Sequence, residues 1–304
     1  MESNRTLFRF DGKSIEIDKN DMGIILQEPQ KDDYLENFSE VDDIYSTEFG
    51  ITRVSMYKNV NDGQQVVIKH IYKENLLSNL QRKQAQMEFP IQCALKHENI
   101  IQGYGYLETE DAYIGIMEYA NEGALLAEQI DEDLQEIDNE TKIKAYMIDI
   151  LEGLDYIHSS GLIHCDIKLE NILAHSIPGE TIPLLKLCDF GLVQIADEEG
   201  KAYIEDPLGT HHYMAPEIQK GVYITNKVDL WSVGVVLYKM VCAYRPTSIG
   251  DYQYGSGPIP IREQDWSNRS KELKDLVLKL LEYDPEKRIS AKEALDHAWF
   301  HFDD

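Results

Sequence analysis

Two spacings of hydrophobic residues divide the chain into two parts. Up to about residue 119, apolar residues fall in short strand-like runs at 53–57, 65–71 and 113–119, and one helical stretch at about 74–95 interrupts them. Beyond Gly123, apolar residues recur three and four positions apart, as in a helix that ends at the Ser-Ser-Gly of 159–161. The stripe consists of Ile143, Tyr146, Met147, Ile150, Leu154 and Ile157. The pattern predicts a mostly stranded first part and a mostly helical second part.

Two polar stretches stand outside this pattern. The first, 1–37, is rich in Asp, Glu, Asn and Gln, and its alternating residues at 7–10 and 15–17 predict a short hairpin around Asp11-Gly12. We interpret 1–37 as an appendage whose role the sequence does not reveal. The second, 131–140, carries six acids and is interpreted as a solvated loop.

The chain is strongly acidic. Its 304 residues contain 29 Lys and Arg against 55 Asp and Glu, which gives a formal net charge of -26. Binding to nucleic acid needs clustered basic side chains, so no nucleic-acid partner is expected. The charge instead favours cationic partners or substrates. Because 43% of the residues are apolar, the chain can bury a substantial core.

The sequence predicts a soluble, cytoplasmic protein without a membrane segment. No run approaches the roughly 18 apolar residues of a membrane span, and the best run, 231–244, contains a lysine. The first residues lack the apolar core of a secretory signal and the glycine needed for myristoylation. Four cysteines lie far apart, which argues against a disulfide framework or a zinc site and fits a reducing cytosol. They are Cys93, Cys165, Cys188 and Cys242.

Four short motifs carry the strongest functional signal. They are Val-Val-Ile-Lys at 66–69, His-Cys-Asp-Ile-Lys-Leu-Glu-Asn at 164–171, Asp-Phe-Gly at 189–191 and Ala-Pro-Glu at 215–217. In this order and at about these distances they resemble the eukaryotic protein kinase family. On that resemblance, 164–171 is the catalytic loop and 189–217 is the activation segment.

The resemblance covers about residues 38–302 and implies an α+β fold with two lobes. A small antiparallel sheet with one major helix would form the N-lobe, 38–119, and helices the larger C-lobe, 120–302, with ATP in the cleft between them. Lys168 and Gly209-Thr210 resemble the serine/threonine branch, and the closing stretch resembles the calcium/calmodulin-dependent kinase group. No calmodulin-target helix or EF-hand loop follows before Asp304, so calcium control within this chain is not expected.

The resemblance assigns the chemistry of phosphoryl transfer, which depends on positioned charges more than on covalent steps. Asp166 would accept or orient the proton of the attacking hydroxyl, and Lys168 would face the charge that develops on the transferred group. Asn171 and Asp189 would be oxygen ligands for Mg²⁺. An isolated Asp-Phe-Gly is often a surface turn, but this one follows the apolar run 184–187, a predicted strand.

Lys69 lies in an apolar strand, where an unpaired ammonium group is costly, so an anionic partner is expected. The resemblance supplies the phosphates of ATP and a carboxylate of the family's helix C. Counting back nine residues from His97, in a segment that resembles the exit of that helix, assigns Glu88. The alternative is that Glu88 is an ordinary exposed helical residue.

Two further segments are assigned to nucleotide binding by the resemblance. Met117 would guard the back of the adenine pocket, and adenine would bond to backbone of Glu118 and of Tyr119 or Ala120. A methionine in a strand is otherwise a core residue.

The nucleotide-covering loop departs from the family. The stretch 45–52 retains only Gly50 of the family's glycines, whereas Tyr45, Thr47 and Glu48 hinder close approach of backbone to phosphate. ATP binding is therefore expected to be weakened.

Five more residues are predicted to stabilise the site or to influence the choice of substrate. Asp229 begins a buried helix that would anchor the catalytic loop, and Arg288 would pair with Glu217. Glu170 stands where, in the resemblance, the family members that prefer basic substrates also have a glutamate. Together with the net charge, this predicts a substrate with a basic residue shortly before the target Ser or Thr. Lys239 lies where some of those members have a second acidic residue, so the preference for a basic residue in the substrate is expected to be modest.

The activation segment departs from the family in a way that bears on regulation. Cys165 replaces the arginine that, in the resemblance, grips a phosphate on this segment. Between 192 and 208 there is no Ser or Thr, only Tyr203, and acids are abundant. The sequence therefore predicts a kinase that needs no phosphorylation of its activation segment.

Two other classes of function remain open at this point. A pseudokinase or scaffold would keep the fold without transfer, and the altered glycine loop favours it. A small-molecule phosphotransferase would not need the peptide-docking stretch 209–217. The joint presence of Lys69, Asp166, Asn171 and Asp189 favours a protein kinase.

Overall fold

The computed structural model describes residues 5–10, 13–18, 38–47, 50–61, 63–127, 130, 137, 139–219, 221, 223–246 and 257–301. The chain forms two compact units, Met1–Tyr119 and Ala120–Asp304. The first contains the main sheet and the second most of the helices, so the predicted α+β fold class is confirmed. The domain boundaries drawn at residues 37 and 302 stay predictions.

The described residues of the first unit form two antiparallel sheets. Their strands are β1 (Arg5–Phe10), β2 (Lys13–Asp18), β3 (Phe38–Ser46), β4 (Thr52–Asn59), β5 (Gln65–Tyr72), β6 (Gly103–Glu108) and β7 (Ala112–Glu118). β1 and β2 form the predicted hairpin, whose turn at Asp11-Gly12 lies outside the described residues. The other five strands form one sheet in the order β3-β4-β5-β7-β6.

The long helix found among the described residues of this unit, α1, spans Asn79–Ala94 and starts later than residue 74, where the sequence placed it. The stretch Lys73–Asn75 forms a separate 3₁₀ turn instead. Ser78 caps α1 by accepting a hydrogen bond from the Gln81 N–H at 3.1 Å, while the Gln81 side chain accepts one from the Ser78 N–H at 3.1 Å. This reciprocal pair is a capping box, and it fixes where the helix begins.

Packing between α1 and the sheet depends on two glycines. A Cβ atom at Gly115 on β7 would lie 2.2 Å from a ring carbon of Phe89, and one at Gly103 on β6 would lie 2.8 Å from Cys93 Sγ. Only glycine leaves room for the helix at this distance. The helix that carries Glu88 is thereby seated directly on the sheet that carries Lys69.

The second unit is mainly helical in its described residues. Its helices are α2 (Leu125–Ala127), α3 (Glu140–Ser159), α4 (Lys227–Cys242), α5 (Lys271–Leu280), α6 (Ala291–Leu295) and α7 (Ala298–His301). All six residues of the predicted apolar stripe on α3 are buried. α4 is buried from Val228 to Cys242, as a central helix of a core must be. No helix in the described part of the chain is long and apolar enough to cross a membrane.

Three short antiparallel ladders complete the second unit. β8 (Leu162–Ile163) pairs with β11 (Gln194–Ile195), β9 (Ile172–His175) with β10 (Leu184–Leu187), and β12 (Lys201–Tyr203) with β13 (Tyr223–Thr225). β10 is the strand predicted before Asp-Phe-Gly. β11 and β12 lie within the activation segment, so two ladders hold this segment in place.

Candidate active site

The carboxylate of Asp166 is held at both oxygens. Its Oδ1 accepts hydrogen bonds from the Thr210 N–H at 3.0 Å and from the Thr210 hydroxyl at 2.7 Å. Its Oδ2 lies 2.8 Å from Lys168 Nζ and accepts a hydrogen bond from Asn171 Nδ2 at 3.0 Å. Because Asp166 is only 8% exposed, these contacts leave its carboxylate in one orientation.

Lys168 provides the positive charge of this cluster. Its Nζ also donates to the Thr210 hydroxyl oxygen at 3.0 Å. Burial alone would lower the pKa of Lys168, but the carboxylates of Asp166, Glu170 and Asp189 outweigh burial and raise this pKa above its ordinary value of 10.5. Lys168 is therefore an ammonium group at neutral pH.

The catalytic loop is anchored by the buried carboxylate of Asp229, in the first turn of α4. Its Oδ2 accepts from the His164 N–H at 2.9 Å, and its Oδ1 accepts from the Cys165 N–H at 2.8 Å. The His158 ring nitrogen Nε2 lies 2.8 Å from Oδ2. The predicted anchoring by Asp229 is thus present in the structure.

Two residues of the candidate site have a left-handed backbone conformation. Among the described residues, Cys165 with φ of 67° and Asp189 with φ of 66° are two of three non-glycine residues in the left-handed region. Such a conformation costs about 1–2 kcal/mol for most residues, so surrounding contacts must hold it. For Cys165 these include the bond to Asp229 and the burial of its own side chain, whose thiol lies 3.5 Å from the Ile163 carbonyl oxygen.

The side chain of Asn171 is held by hydrogen bonds to Asp166. Its side-chain Nδ2 donates both to the Asp166 carbonyl oxygen at 2.9 Å and to the Asp166 carboxylate. Since the amide nitrogen is used in this way, the amide oxygen is the side-chain atom left for another contact, and its role as a ligand for Mg²⁺ stays a prediction. Asp189 lies close enough to act on the charge of Lys168, and its Oδ1 is 3.4 Å from the Gly191 nitrogen.

Within the first unit, the predicted pairing of Lys69 with Glu88 is present. Lys69 Nζ lies 2.6 Å from Glu88 Oε1, and the Glu88 side chain is only 4% exposed. The alternative of an ordinary exposed helical glutamate is therefore wrong. β5 places Lys69 opposite Gly115, so the residue that pairs with it on β7 has no side chain.

The turn that contains Gly50 is closed by its own backbone and side-chain bonds. Gly50 has φ of 61° and its N–H donates to the Thr47 carbonyl at 2.8 Å. The Thr47 hydroxyl oxygen accepts from the Thr52 N–H at 3.0 Å, which turns this side chain back onto the turn. Tyr45 is exposed, and Glu48 lies outside the described residues. The nucleotide-binding role of Gly50 stays a prediction.

The predicted hinge residues are found at the end of β7 and just after it. Met117 is buried, and its sulfur lies 3.9 Å from Gln92 Nε2 on α1. The Glu118 N–H donates to the Gln102 carbonyl at 2.9 Å, so this donor is not available to a nucleotide. Tyr119 follows β7, and Ala120 is a buried residue of the second unit. Their contacts with adenine stay predictions.

The end of the activation segment is fixed by the predicted ion pair. Arg288 Nη1 and Nη2 bind the Glu217 carboxylate at 2.6 and 3.1 Å, and the Arg288 side chain is fully buried. Such a two-point pair resists rotation as well as separation. Gly209, near the other end of this stretch, packs against the catalytic loop. A Cβ atom at Gly209 would lie 2.7 Å from the Cys165 carbonyl oxygen.

One residue of the cluster was not predicted as part of it. Thr210 contacts both Asp166 and Lys168, although the sequence analysis used it only as a mark of the serine/threonine branch. The sequence feature that could have indicated this role is the position of Thr210 next to Gly209 in the activation segment. The contact joins residues 44 positions apart, which no local pattern can show.

Comparisons with known proteins agree with this geometry. Residues 48–300 match the family model described as protein kinase domain. The serine/threonine-protein kinase cds1 of Schizosaccharomyces pombe is 35% identical over 263 residues, which are 82% of this chain and 55% of that protein. Calcium-dependent protein kinase 19 of Arabidopsis thaliana is 32% identical over 287 residues, 90% of this chain and 50% of that protein.

A third relative is the calcium/calmodulin-dependent protein kinase of Metarhizium anisopliae, which is 30% identical over 241 residues, 77% of this chain and 61% of that protein. This chain thus spans only about half to three fifths of the length of these three relatives. The predicted resemblance to the calcium/calmodulin-dependent group is confirmed by these relatives. The chain belongs to the protein kinase family.

Proposed function

We propose that this chain transfers a phosphoryl group from ATP, with Mg²⁺, to Ser or Thr residues of proteins. The observation that carries the proposal is the Asp166 carboxylate, held between Lys168, Asn171 and Thr210. Both the family and the serine/threonine kinases among its relatives support this activity.

The residues of the catalytic loop have distinct tasks in this reaction. Asp166 accepts the proton of the substrate hydroxyl, because its carboxylate is fixed and ionisable. Lys168 and the Thr210 hydroxyl hold that carboxylate, and the Lys168 ammonium group places a positive charge where negative charge develops. Holding these groups in place beforehand lowers the cost of ordering them during the reaction.

The donor set fits magnesium. Mg²⁺ keeps several waters and takes only one or two side-chain ligands besides substrate phosphates, and Asp189 and Asn171 offer one carboxylate and one amide oxygen. A group of three or more His, Cys, Asp or Glu side chains suited to a metal does not occur in the described residues, so a dedicated all-protein cage is absent there. Bound Mg²⁺ would neutralise phosphate charge.

Lys69 would bind the phosphates of ATP. Its ammonium group is oriented by the buried carboxylate of Glu88. A cationic and an anionic side chain that are already fixed to each other lose little conformational entropy when a ligand binds. The retained pair therefore supports nucleotide binding in spite of the altered glycine turn.

Protein substrates are supported over small molecules by the activation segment. The stretch 209–217 is held by the Arg288–Glu217 pair at one end and by Thr210 at the other. A basic residue shortly before the target Ser or Thr is our narrower proposal. It is supported by the exposed carboxylate of Glu170 in the catalytic loop and by the net charge of -26.

The activation segment would be ordered without phosphate. Cys165, in place of an arginine, is buried, so it offers a phosphate no cation. β12 pairs with β13, with Ala202 and Ile224 buried beneath the ladder. The Tyr203 and Tyr223 rings pack edge to face with centroids 5.6 Å apart. Burial and pairing thus supply the order that a charge-assisted phosphate contact would otherwise give.

The test is transfer itself. Purified protein is incubated with γ-labelled ATP, Mg²⁺ and a generic basic protein, and the labelled acceptor is hydrolysed to identify phosphoserine and phosphothreonine. Label on these residues that disappears when Mg²⁺ is chelated supports the proposal. Nucleotide binding with no transfer would support the scaffold alternative instead. A cytoplasmic location, suggested by the four free cysteines, is a further proposal to be checked by fractionation.

A further inference from the structure

The first six residues of α4 bind three different parts of the second unit. Asp229 holds the catalytic loop. Ser232 donates to the Tyr213 carbonyl at 2.7 Å, within the activation segment. Lys227, the first residue of α4, donates from Nζ to the Arg288 carbonyl at 2.5 Å. Of these three side chains, Lys227 is the one to which neither the motifs nor the catalytic site assigns a role.

Lys227 and Arg288 hold each other by two hydrogen bonds in opposite directions. The side chain of Lys227 binds the backbone of Arg288, and Arg288 Nη1 donates to the Lys227 carbonyl at 2.7 Å. Arg288 Nε also donates to the Glu282 carbonyl at 2.8 Å, and the guanidinium carbon lies 5.1 Å from the centre of the buried Trp231 ring. These contacts fix the guanidinium group relative to α4.

The position of this guanidinium group matters because it also binds the activation segment. Arg288 Nη1 lies 2.6 Å from Glu217 Oε1, and Nη2 lies 3.1 Å from Oε2. A shift of residue 288 away from α4 would move both nitrogens relative to Glu217. A two-point pair tolerates little displacement, since both N–H···O bonds must stay aligned together. Lys227 thus acts on Glu217 through Arg288.

The bond from Lys227 to the carbonyl is more than part of a surface ion pair. The Lys227 side chain is 24% exposed, and its Nζ lies 3.9 Å from the exposed Glu293 carboxylate, a pair that contributes little. Burial lowers the pKa of Lys227, Glu293 raises it, and the charge of Arg288 lowers it again, to below its ordinary value of 10.5. The amine is therefore held beside Arg288 against an unfavourable charge, which favours a role for its hydrogen bond.

Lys227 can be replaced without rebuilding the core. Its side chain lines a cavity of about 550 Å³ together with Arg288, Ile289 and Glu293. Because Glu293 is exposed, this cavity meets solvent. A side chain of similar length at position 227 therefore has room, whereas the rest of α4, from Val228 to Cys242, is buried.

We propose that Lys227 is a positioning residue for the peptide-docking stretch 209–217. It fixes the backbone of Arg288, and through the Arg288–Glu217 pair it holds one end of this stretch, as Thr210 holds the other. The inference rests on the proposed function, in which this stretch binds the protein substrate. Lys227 should therefore influence binding of the peptide and not of ATP.

The first measurement is hydrogen exchange of backbone amides, which needs no activity. It compares the wild type with Lys227→Met, which removes the donor, and with Lys227→Arg, which keeps a donor and a charge. We expect Lys227→Met to speed exchange in 209–217 about threefold to tenfold, the effect of losing one hydrogen bond, and to leave exchange in α3 unchanged. Lys227→Arg should behave like the wild type. The matched control is Lys292→Met, which changes an exposed lysine on α6.

The second measurement follows the transfer reaction, with a peptide that carries one Ser acceptor and one Arg before it. Lys227→Met should raise KM for the peptide about threefold to tenfold and leave KM for ATP unchanged. The double variant with Glu217→Gln tests the route. Because Lys227 acts through Glu217, the two losses in peptide kcat/KM should combine to less than their product. Thermal denaturation checks that each variant folds, and Lys227→Ala, which also lacks the donor, replaces Lys227→Met if that variant does not.

Four results would overturn the inference: exchange and peptide KM in Lys227→Met equal to the wild type, equally faster exchange in α3 and in 209–217, a Lys227→Arg variant as impaired as Lys227→Met, or losses that multiply fully in the double variant. The second result would mean that Lys227 stabilises the unit as a whole. If the wild type phosphorylates no peptide, the proposed function fails, and hydrogen exchange alone decides the role of Lys227.

Discussion

Polar atoms of Thr210, Lys168 and Asn171 hold both oxygens of the Asp166 carboxylate in place. A base fixed in this way needs no reorganisation when the substrate hydroxyl arrives. At the scale of single residues, the site therefore depends on hydrogen bonds between side chains as much as on the identity of the base.

Two cysteines near the Asp166 carboxylate and its partners, Cys165 and Cys188, should differ in their reactivity with alkylating reagents. Cys165 is buried, and burial together with the charges of Asp229 and Asp166 raises the pKa of its thiol well above 9.0, so it stays protonated. Cys188, directly before Asp189, is partly exposed. We expect iodoacetamide at pH 8 to modify Cys188 and leave Cys165 intact, and Mg²⁺ with ATP to slow the reaction at Cys188.

The measurement is mass spectrometry of the alkylated peptides over time, with Mg²⁺ alone as the control for nucleotide. The Cys188→Ser variant, which cannot be alkylated at residue 188, identifies the peptide signal that belongs to Cys188. Equal labelling of Cys188 with and without nucleotide would remove it from the nucleotide site, and rapid labelling of Cys165 would contradict its burial.

Single residues were predictable where a motif or a charge argument singled them out. Lys69 required a partner because its strand is apolar, and Glu88 is that partner. The bond between Thr210 and Asp166 could not be predicted, since it depends on how the activation segment folds back over the catalytic loop.

At the scale of elements, α4 holds the catalytic loop through one carboxylate. Replacing Asp229 with Ala leaves the buried N–H groups of His164 and Cys165 without an acceptor, at about 1–3 kcal/mol each. We expect Asp229→Ala to lower the free energy of unfolding by about 3 kcal/mol or more, measured by urea denaturation. Asp229→Asn keeps one oxygen and should lose less.

The matched control is Asp111→Ala, an exposed aspartate in the first unit, whose effect should stay within about 0.5 kcal/mol. Equal losses in Asp229→Ala and Asp111→Ala would show that α4 does not anchor the loop through this side chain.

The activation segment gives a second prediction at this scale. Because β11 and β12 pair with β8 and β13, we expect enzyme made in bacteria to keep its full activity after phosphatase treatment. Activity is compared before and after treatment, with mass spectrometry of residues 189–217. Loss of most activity together with loss of a phosphate from this segment would show that phosphate, and not strand pairing, orders it.

Elements were predictable where hydrophobic spacing was regular, as in α3, β5 and β10. β3 was missed because eight of its nine residues are exposed and it carries acids rather than alternating apolar residues. It is held by its ladder to β4 and by Arg53, which bonds Glu40 at 2.5 Å. β6 was missed because its two glycines weaken the strand signal, and one of them, Gly103, makes room for α1.

At the scale of the whole molecule, the net charge of -26 acts on every approaching substrate. A chain of this charge attracts basic segments over distances of about a Debye length, roughly 8 Å at physiological salt. We expect peptides with Arg shortly before the target Ser to have higher kcat/KM than their Ala counterparts, with a modest ratio that falls as salt is raised.

Glu170→Gln should reduce this preference, and Glu272→Gln, which changes a partly exposed glutamate on α5, is the control. A peptide array that favours proline next to the target, or that shows no gain from Arg at any position before it, would contradict the expectation.

The central claim is that the chain catalyses phosphoryl transfer through Asp166. Its most direct test is kcat for the wild type, Asp166→Asn and the exposed control Asp111→Asn, measured with Mg²⁺, ATP and a basic protein acceptor, beside ATP affinity from calorimetry. We expect Asp166→Asn to lower kcat by about 10² to 10⁴ with ATP affinity unchanged, because the base acts in transfer and not in nucleotide binding. An Asp166→Asn variant as active as the wild type, or a wild type that binds ATP without turnover, would contradict the claim.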